Sequence, residues 1–150
     1  MEALLEYKLF IIPMIVIVCA QGIKFIRYTI RHEFNPDYIF APGHFPSAHS
    51  AFVSSLVVMV GYYEGVTGGT FAIAAAFAFI TIYDAMRVRM NIGLNGKALN
   101  MLVSKLDDID KKEFPKLKER VGHYASEVAG GVGVGVILTL IIIWIMEVLF

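Results

Sequence analysis

Cysteine and net charge are the two things this sequence has least of. Cys19 is the single cysteine among 150 residues, so no disulfide can form within the chain, and its apolar setting indicates a packing role. Thirteen basic residues balance thirteen acidic ones, and a formal net charge of +0 provides no field that would attract nucleic acid. The hydrophobic fraction is 57%, above the roughly 45–50% of soluble domains. We therefore expect a membrane protein without a nucleic-acid partner.

Four apolar runs predict membrane helices, because a helix needs about 20 apolar residues to cross a bilayer. The first run lacks the basic start and the cleavage site of a signal peptide, so we expect it to be retained. The second run is short and could instead be shallow or re-entrant. The predicted fold class is all-α: a single membrane domain, residues 1–150, with about four transmembrane helices. The predicted spans are residues 9–23, 47–63, 70–86 and 127–149.

The basic residues are sorted to one side of this predicted helical bundle. If the four runs cross in turn, the polar segments 24–46 and 87–126 share a side, and they hold 12 of the 13 Lys and Arg, all but Lys8. The positive-inside rule makes that side cytoplasmic and places both termini on the other side. The same side carries all four histidines, which are His32, His44, His49 and His123.

The segment Pro46-Ser47-Ala48-His49 predicts the start of the second helix, with Pro46 in its first turn. A helix N-terminus presents free N–H groups and a partial positive charge, which suits an anion. Ser47 would add a hydroxyl, Ala48 would keep the approach open, and His49 would project from the first turn. The alternative is a capping turn with an interfacial histidine.

A second histidine stands where the fourth run begins. His123 and Glu127 are four residues apart, so they share a face of a helix. A carboxylate in that position can hold one ring nitrogen and leave the other free, as in nucleophilic or basic histidines. A structural interfacial pair is the alternative.

Cations follow the third run. Arg87 and Arg89 could clamp phosphate oxygens or serve only as membrane anchors, and Lys24 at the end of the first run has the same two interpretations. Asp84 could orient an arginine.

No cysteine cluster or His-x-x-x-His pair is present, so we expect no metal and no cofactor. Two histidines, a carboxylate and several cations on one face match metal-free phosphoryl transfer.

These motifs resemble a known family. Pro46 to Ser50, Tyr83 to Arg89, Leu99-Asn100 and Gly122 to Gly131 are similar, in order, to motifs of the divergent membrane branch of the type 2 phosphatidic acid phosphatase and vanadium haloperoxidase superfamily. Gln21 and Lys24 resemble the opening motif of that branch.

The resemblance implies a role for each matching residue. His123 matches the nucleophile, Glu127 the residue that orients it, and His49 the general acid. The implied phosphate-binding residues are Ser47, Ala48, Lys24 and Arg89, with Arg87 as an added cation where the branch has glycine; Asp84, Gln21 and Asn100 would support them. Three departures are visible: Arg87 itself, Leu117 in place of the superfamily's arginine six residues before the nucleophile, and His32 in place of a proline after Arg31.

The leading functional hypothesis is a metal-independent phosphatase acting on a lipid phosphate or pyrophosphate at the cytoplasmic interface. The alternative is a non-catalytic membrane protein that binds anionic lipid headgroups or a partner through the same pocket. A small transporter subunit is a third interpretation. The glycines of the fourth run, Gly130, Gly131, Gly133 and Gly135, suggest a close helix contact that could join two copies of the chain.

Overall fold

The computed structural model describes residues 7–32, 34, 44–106 and 114–149, and these residues form helices and connecting segments without a strand. In chain order the helices are α1 (Lys8–Arg31), α2 (Ala48–Tyr63), α3 (Gly69–Tyr83), a π-helical turn (Asp84–Val88), α4 (Arg89–Lys105) and α5 (Ala125–Leu149). The all-α class is therefore confirmed. Parts of the two predicted polar segments, residues 33, 35–43 and 107–113, lie outside the described residues.

Within the part of the chain that the structure describes, three helical stretches are long and apolar enough to cross a membrane. They are Lys8–Ile30, Gly69–Lys105 and Ala125–Leu149, the second of which runs continuously through α3, the π-turn and α4. The fourth apolar helix, α2, has 16 residues, fewer than the about 20 that a straight crossing needs. An integral membrane protein follows from these helices, and the four-crossing topology stays a prediction.

The helix of the third run continues well past the predicted end of its span at residue 86. Between Asp84 and Lys105 the sequence contains no proline, so every backbone N–H can keep its helical hydrogen bond. The first run likewise stays helical as far as Arg31. The chain therefore becomes more polar at residues 24–31 and 87–105 while the helix continues, so the change in polarity does not mark the end of a helix.

Helix α2 is the centre of the bundle, since it packs against α1, α3 and α5. The contact with α5 is close because α5 presents glycine there. A Cβ atom on Gly131 would lie 2.3 Å from the Ser47 carbonyl oxygen, and one on Gly135 would lie 2.4 Å from that of Ala51. Pairs spaced by four residues on both helices thus bring the two backbones together. The Phe45 ring packs against Gly130, whereas nothing lies within 4 Å of a Cβ position on Gly133.

A buried hydroxyl pair adds a polar link to the same interface. The Oγ atoms of Thr139 on α5 and Ser55 on α2 are 2.6 Å apart, and the Thr139 hydroxyl also lies 2.6 Å from the Gly135 carbonyl oxygen. Such interhelical bonds contribute about 0.6 kcal/mol each in a membrane protein. The outer faces are different: Ile73, Phe79 and Trp144 are exposed, as contact with lipid requires.

Candidate active site

Glu127 sits in the first turn of α5 and organises the residues around it. Its Oε2 atom lies 3.1 Å from His123 Nδ1 and accepts the backbone N–H of Tyr124 at 3.1 Å. Its Oε1 atom accepts a hydrogen bond from Arg120 Nη2 at 2.6 Å. Arg120 and the Tyr124 amide can only donate hydrogen bonds, so both oxygens of Glu127 act as acceptors. His123 therefore carries its hydrogen on Nδ1 and keeps a lone pair on Nε2.

The π-turn fixes the backbone of the segment that carries His123. The backbone N–H of His123 donates to the carbonyl oxygen of Ala85, within the π-turn, at 3.0 Å. Gly122 lies where the turn meets α4: a Cβ there would lie 2.5 Å from the Met90 nitrogen and 3.0 Å from the Ala85 carbonyl oxygen. Only glycine allows this approach without a backbone shift. Single π-turns inside α-helices are often found at functional sites, and this one anchors a histidine.

The Ser47 segment differs from its prediction in two ways. The helix begins at Ala48, and Ser47 is its N-cap, so Pro46 precedes the cap and is not in the first turn. The Ser47 Oγ accepts the N–H of Ser50 at 3.3 Å and lies 2.9 Å from the Ser50 hydroxyl. Ser47 is fully buried, at 0% exposure, because α5 packs over it. Its hydroxyl already serves the cap, whereas His49 in the first turn of α2 is exposed.

The electrostatic environment keeps His123 neutral. Burial is the main cause that lowers the pKa of His123 below its ordinary value, and the charges of His49 and Lys24 act in the same direction. The hydrogen bond and charge of Glu127 oppose this shift without reversing it. His49 on α2 and Lys24 on α1 therefore lie close enough to His123 for their charges to act on it. The structure thus collects both predicted histidines, their carboxylate and one lysine.

Lys24 is the buried cation of the site. It is 6% exposed, its Nζ lies 3.5 Å from Oε1 of Gln21, and it is within electrostatic range of Glu127. A cleft of about 200 Å³ opens beside it. Residues from α1, from the segment before α2 and from α5 line this cleft: Lys24, Arg27, Tyr28, His32, His44, Phe45 and Glu127.

The two predicted arginines lie at the edge of the site. Arg89 Nε donates to Asp84 Oδ2 at 2.6 Å, and both charges act on His49. A π-turn has more residues per turn than an α-helix, so residues five apart share a face, which explains this pair. Arg87 is exposed on the same turn.

Asn100 has a different place. Its side chain pairs with the backbone of Leu117 and with Glu119, about 16 Å along the helix from Arg89 at the usual rise per residue. Asn100 therefore fastens the 114–121 segment to α4 and does not reach the histidines.

Arg120 is the site residue that the sequence interpretation missed. Motif comparison directs attention six residues before His123, where Leu117 stands, whereas Arg120 is three residues before it. The segment from 114 to 124 is not helical, so no periodicity predicts that Arg120 meets Glu127. Arg27 and His44 in the cleft were missed for a similar reason, since neither belongs to a motif.

The fold and site define an all-helical integral membrane protein with a histidine–carboxylate pair among basic residues. The profile of the Divergent PAP2 family matches residues 5–138, so the chain belongs to that family, which confirms the resemblance drawn from the motifs. The chain is also similar to the uncharacterized membrane protein YuiD of Bacillus subtilis (strain 168). The two are 33% identical over an alignment 154 residues long, which spans 95% of this chain and 97% of YuiD. No solved structure matches the chain.

Proposed function

We propose that this protein is a metal-independent phosphatase that hydrolyses a lipid phosphate or pyrophosphate at the membrane interface through a phosphohistidine. The observation that carries the proposal is the His123–Glu127 pair, with 3.1 Å between Nδ1 and Oε2. It directs the Nε2 lone pair of a neutral imidazole away from the carboxylate. A buried histidine with a lowered pKa is unprotonated at neutral pH, as a nucleophile must be.

The proposed reaction has two steps. His123 Nε2 attacks phosphorus, a P–N bond forms, and the bond from phosphorus to the lipid oxygen breaks while His49 donates a proton to that oxygen. His49 then accepts a proton from water, the resulting hydroxide attacks phosphorus, and the P–N bond breaks to release phosphate and His123. His49 suits this role because it is exposed in the first turn of α2 and lies close enough to His123 for their charges to interact.

Charge around the histidines supports the transfer. Lys24 is buried beside the pair, and buried cations stabilise developing phosphoryl charge more than solvated ones do. The cleft next to Lys24, with Arg27 and His44 on its wall, is the proposed site for the anionic headgroup. The alkyl tails would lie against the apolar helix faces. Charge sorting favours a cytoplasmic site and non-cytoplasmic termini.

The test is phosphate release from a panel of lipid phosphates and pyrophosphates by detergent-purified protein with EDTA. Wild type is compared with His123→Ala and His49→Ala, and each variant is checked for an unchanged elution volume and melting temperature. We expect turnover that survives EDTA and collapses in both variants. Turnover retained by both variants would sink the histidine mechanism.

A second candidate is a non-catalytic membrane protein that binds anionic lipid headgroups. The observation in its favour is the Ser47 hydroxyl, which is buried and committed to the helix cap, so the helix N-terminus is less open than an anion site requires. Folded protein that binds anionic vesicles but hydrolyses no substrate on the panel would support this candidate.

A further inference from the structure

We propose that Arg120 is a positioning residue, which holds the Glu127 carboxylate in the orientation that keeps His123 nucleophilic; this inference rests on the proposed function. The two oxygens of Glu127 are divided between partners. Arg120 Nη2 takes Oε1 at 2.6 Å, and His123 Nδ1 with the Tyr124 N–H takes Oε2 at 3.1 Å each. Arg120 therefore fixes the rotation of the carboxylate about its last bond.

Burial makes this contact matter. The Glu127 side chain is 8% exposed, and that of Arg120 is 47% exposed. An ionised carboxylate out of water needs a compensating cation. His123 is neutral, and Lys24 acts on Glu127 through space. Arg120 forms a direct ion pair with Glu127, so it compensates the buried carboxylate at contact distance.

The contact also affects protonation of His123. The groups that face His123 are Glu127 from α5, His49 from α2 and Lys24 from α1. A carboxylate already paired with a guanidinium attracts the imidazole proton less than an unpaired one does. Removing Arg120 should therefore favour the protonated, non-nucleophilic imidazole. The acid limb of the rate profile would move to higher pH.

Arginine suits this position better than lysine. The guanidinium is planar and directs its hydrogens in a fixed geometry, and its Cζ lies 5.4 Å from the Tyr124 ring, within cation–π range. A lysine would restore the charge with a looser geometry. Arg120→Lys should therefore recover part of what Arg120→Gln loses.

The experiment uses full-length protein in detergent and whichever panel substrate the wild type hydrolyses. Arg120→Gln is compared with Arg120→Lys and with Lys118→Gln, which removes an exposed cation from the same segment. We expect kcat to fall about tenfold or more in Arg120→Gln with KM nearly unchanged, the size of effect that outer-shell partners have. The midpoint pH of the acid limb should be higher in Arg120→Gln than in wild type. Arg120→Lys should recover part of the lost kcat, and Lys118→Gln should match wild type in kcat and in pH profile. A higher KM without a shifted profile would contradict the positioning role and assign Arg120 to substrate binding.

A readout without turnover separates this inference from the proposed function. The protein has four histidines, so ¹⁵N-histidine NMR can follow His123, assigned by its loss in His123→Ala. The His123 midpoint should rise in Arg120→Gln and stay in place in Lys118→Gln, even if the wild type hydrolyses nothing on the panel. An unchanged midpoint in Arg120→Gln would overturn the inference. Should Arg120→Gln fail to fold, Arg120→Lys serves for the same comparison, with a smaller rise expected.

Discussion

The backbone N–H of Ser47 donates to the carbonyl oxygen of Glu127 at 3.0 Å. This bond joins the segment that carries His49 to the segment that carries His123, although the two are far apart in sequence. Gly131, one turn further along α5, lies against the Ser47 carbonyl. These backbone contacts therefore set the position of the segment that carries His49 relative to the segment that carries His123.

Gly131 should be the glycine of α5 least tolerant of substitution. A Cβ there would lie 2.3 Å from the Ser47 carbonyl oxygen, which is backbone and cannot move aside. Gly131→Ala should destabilise the fold by about 1–3 kcal/mol, the usual cost of overpacking, and should lower turnover with it. Gly133→Ala is the matched control, since nothing lies within 4 Å of its Cβ position. Thermal unfolding in detergent measures both, and equal melting temperatures would refute the packing argument.

Glu127→Gln should retain the shape of the side chain and lose its charge. Glutamine keeps one acceptor oxygen and puts an NH2 donor in place of the other, so either the Nδ1 hydrogen of His123 or the guanidinium of Arg120 loses its acceptor. The carboxylate charge that holds the His123 ring in one tautomer is lost as well. We expect kcat to fall roughly 10²-fold or more, in the direction seen when an orienting carboxylate is replaced in hydrolases. Glu64→Gln, at the exposed turn after α2, should have no effect. Equal kcat values for Glu127→Gln and wild type would remove Glu127 from the mechanism.

The pH dependence follows from the environment of His123. Burial lowers the pKa of His123, so the imidazole stays neutral at pH values where an exposed histidine is partly protonated. The acid limb of the rate profile, which reports protonation of His123, should therefore lie below the ordinary histidine value of about 6.5. A kcat/KM profile for wild type checks this. An acid limb centred well above the ordinary value would contradict a buried neutral nucleophile.

Sidedness can be tested by cysteine labelling, because Cys19 is the single native cysteine. In a Cys19→Ser background, Glu64→Cys and Lys118→Cys place thiols at two exposed positions. An impermeant maleimide should label position 64 in intact cells and position 118 only after permeabilisation. Labelling of both positions from the same side would exclude the four-crossing topology.

The sequence predicts the all-α class because long apolar runs allow few other structures. It also predicts which residues to inspect, since His49, His123, Glu127 and Lys24 come together. The remaining features depend on tertiary contacts. The π-turn needs one extra residue per turn, which leaves no periodic signature, and the burial of Ser47 depends on the glycine face of α5. Arg120 reaches Glu127 from a segment without regular structure, where spacing predicts nothing.

The most direct measurement is a rapid acid-free quench of wild type with ³²P-labelled substrate, followed by detection of protein-bound phosphate. The account predicts a label that is stable to base and labile to acid, as phosphohistidine is, and that is absent from folded His123→Ala. A label of the same yield and chemistry in His123→Ala, or full hydrolysis by that variant, would contradict the account.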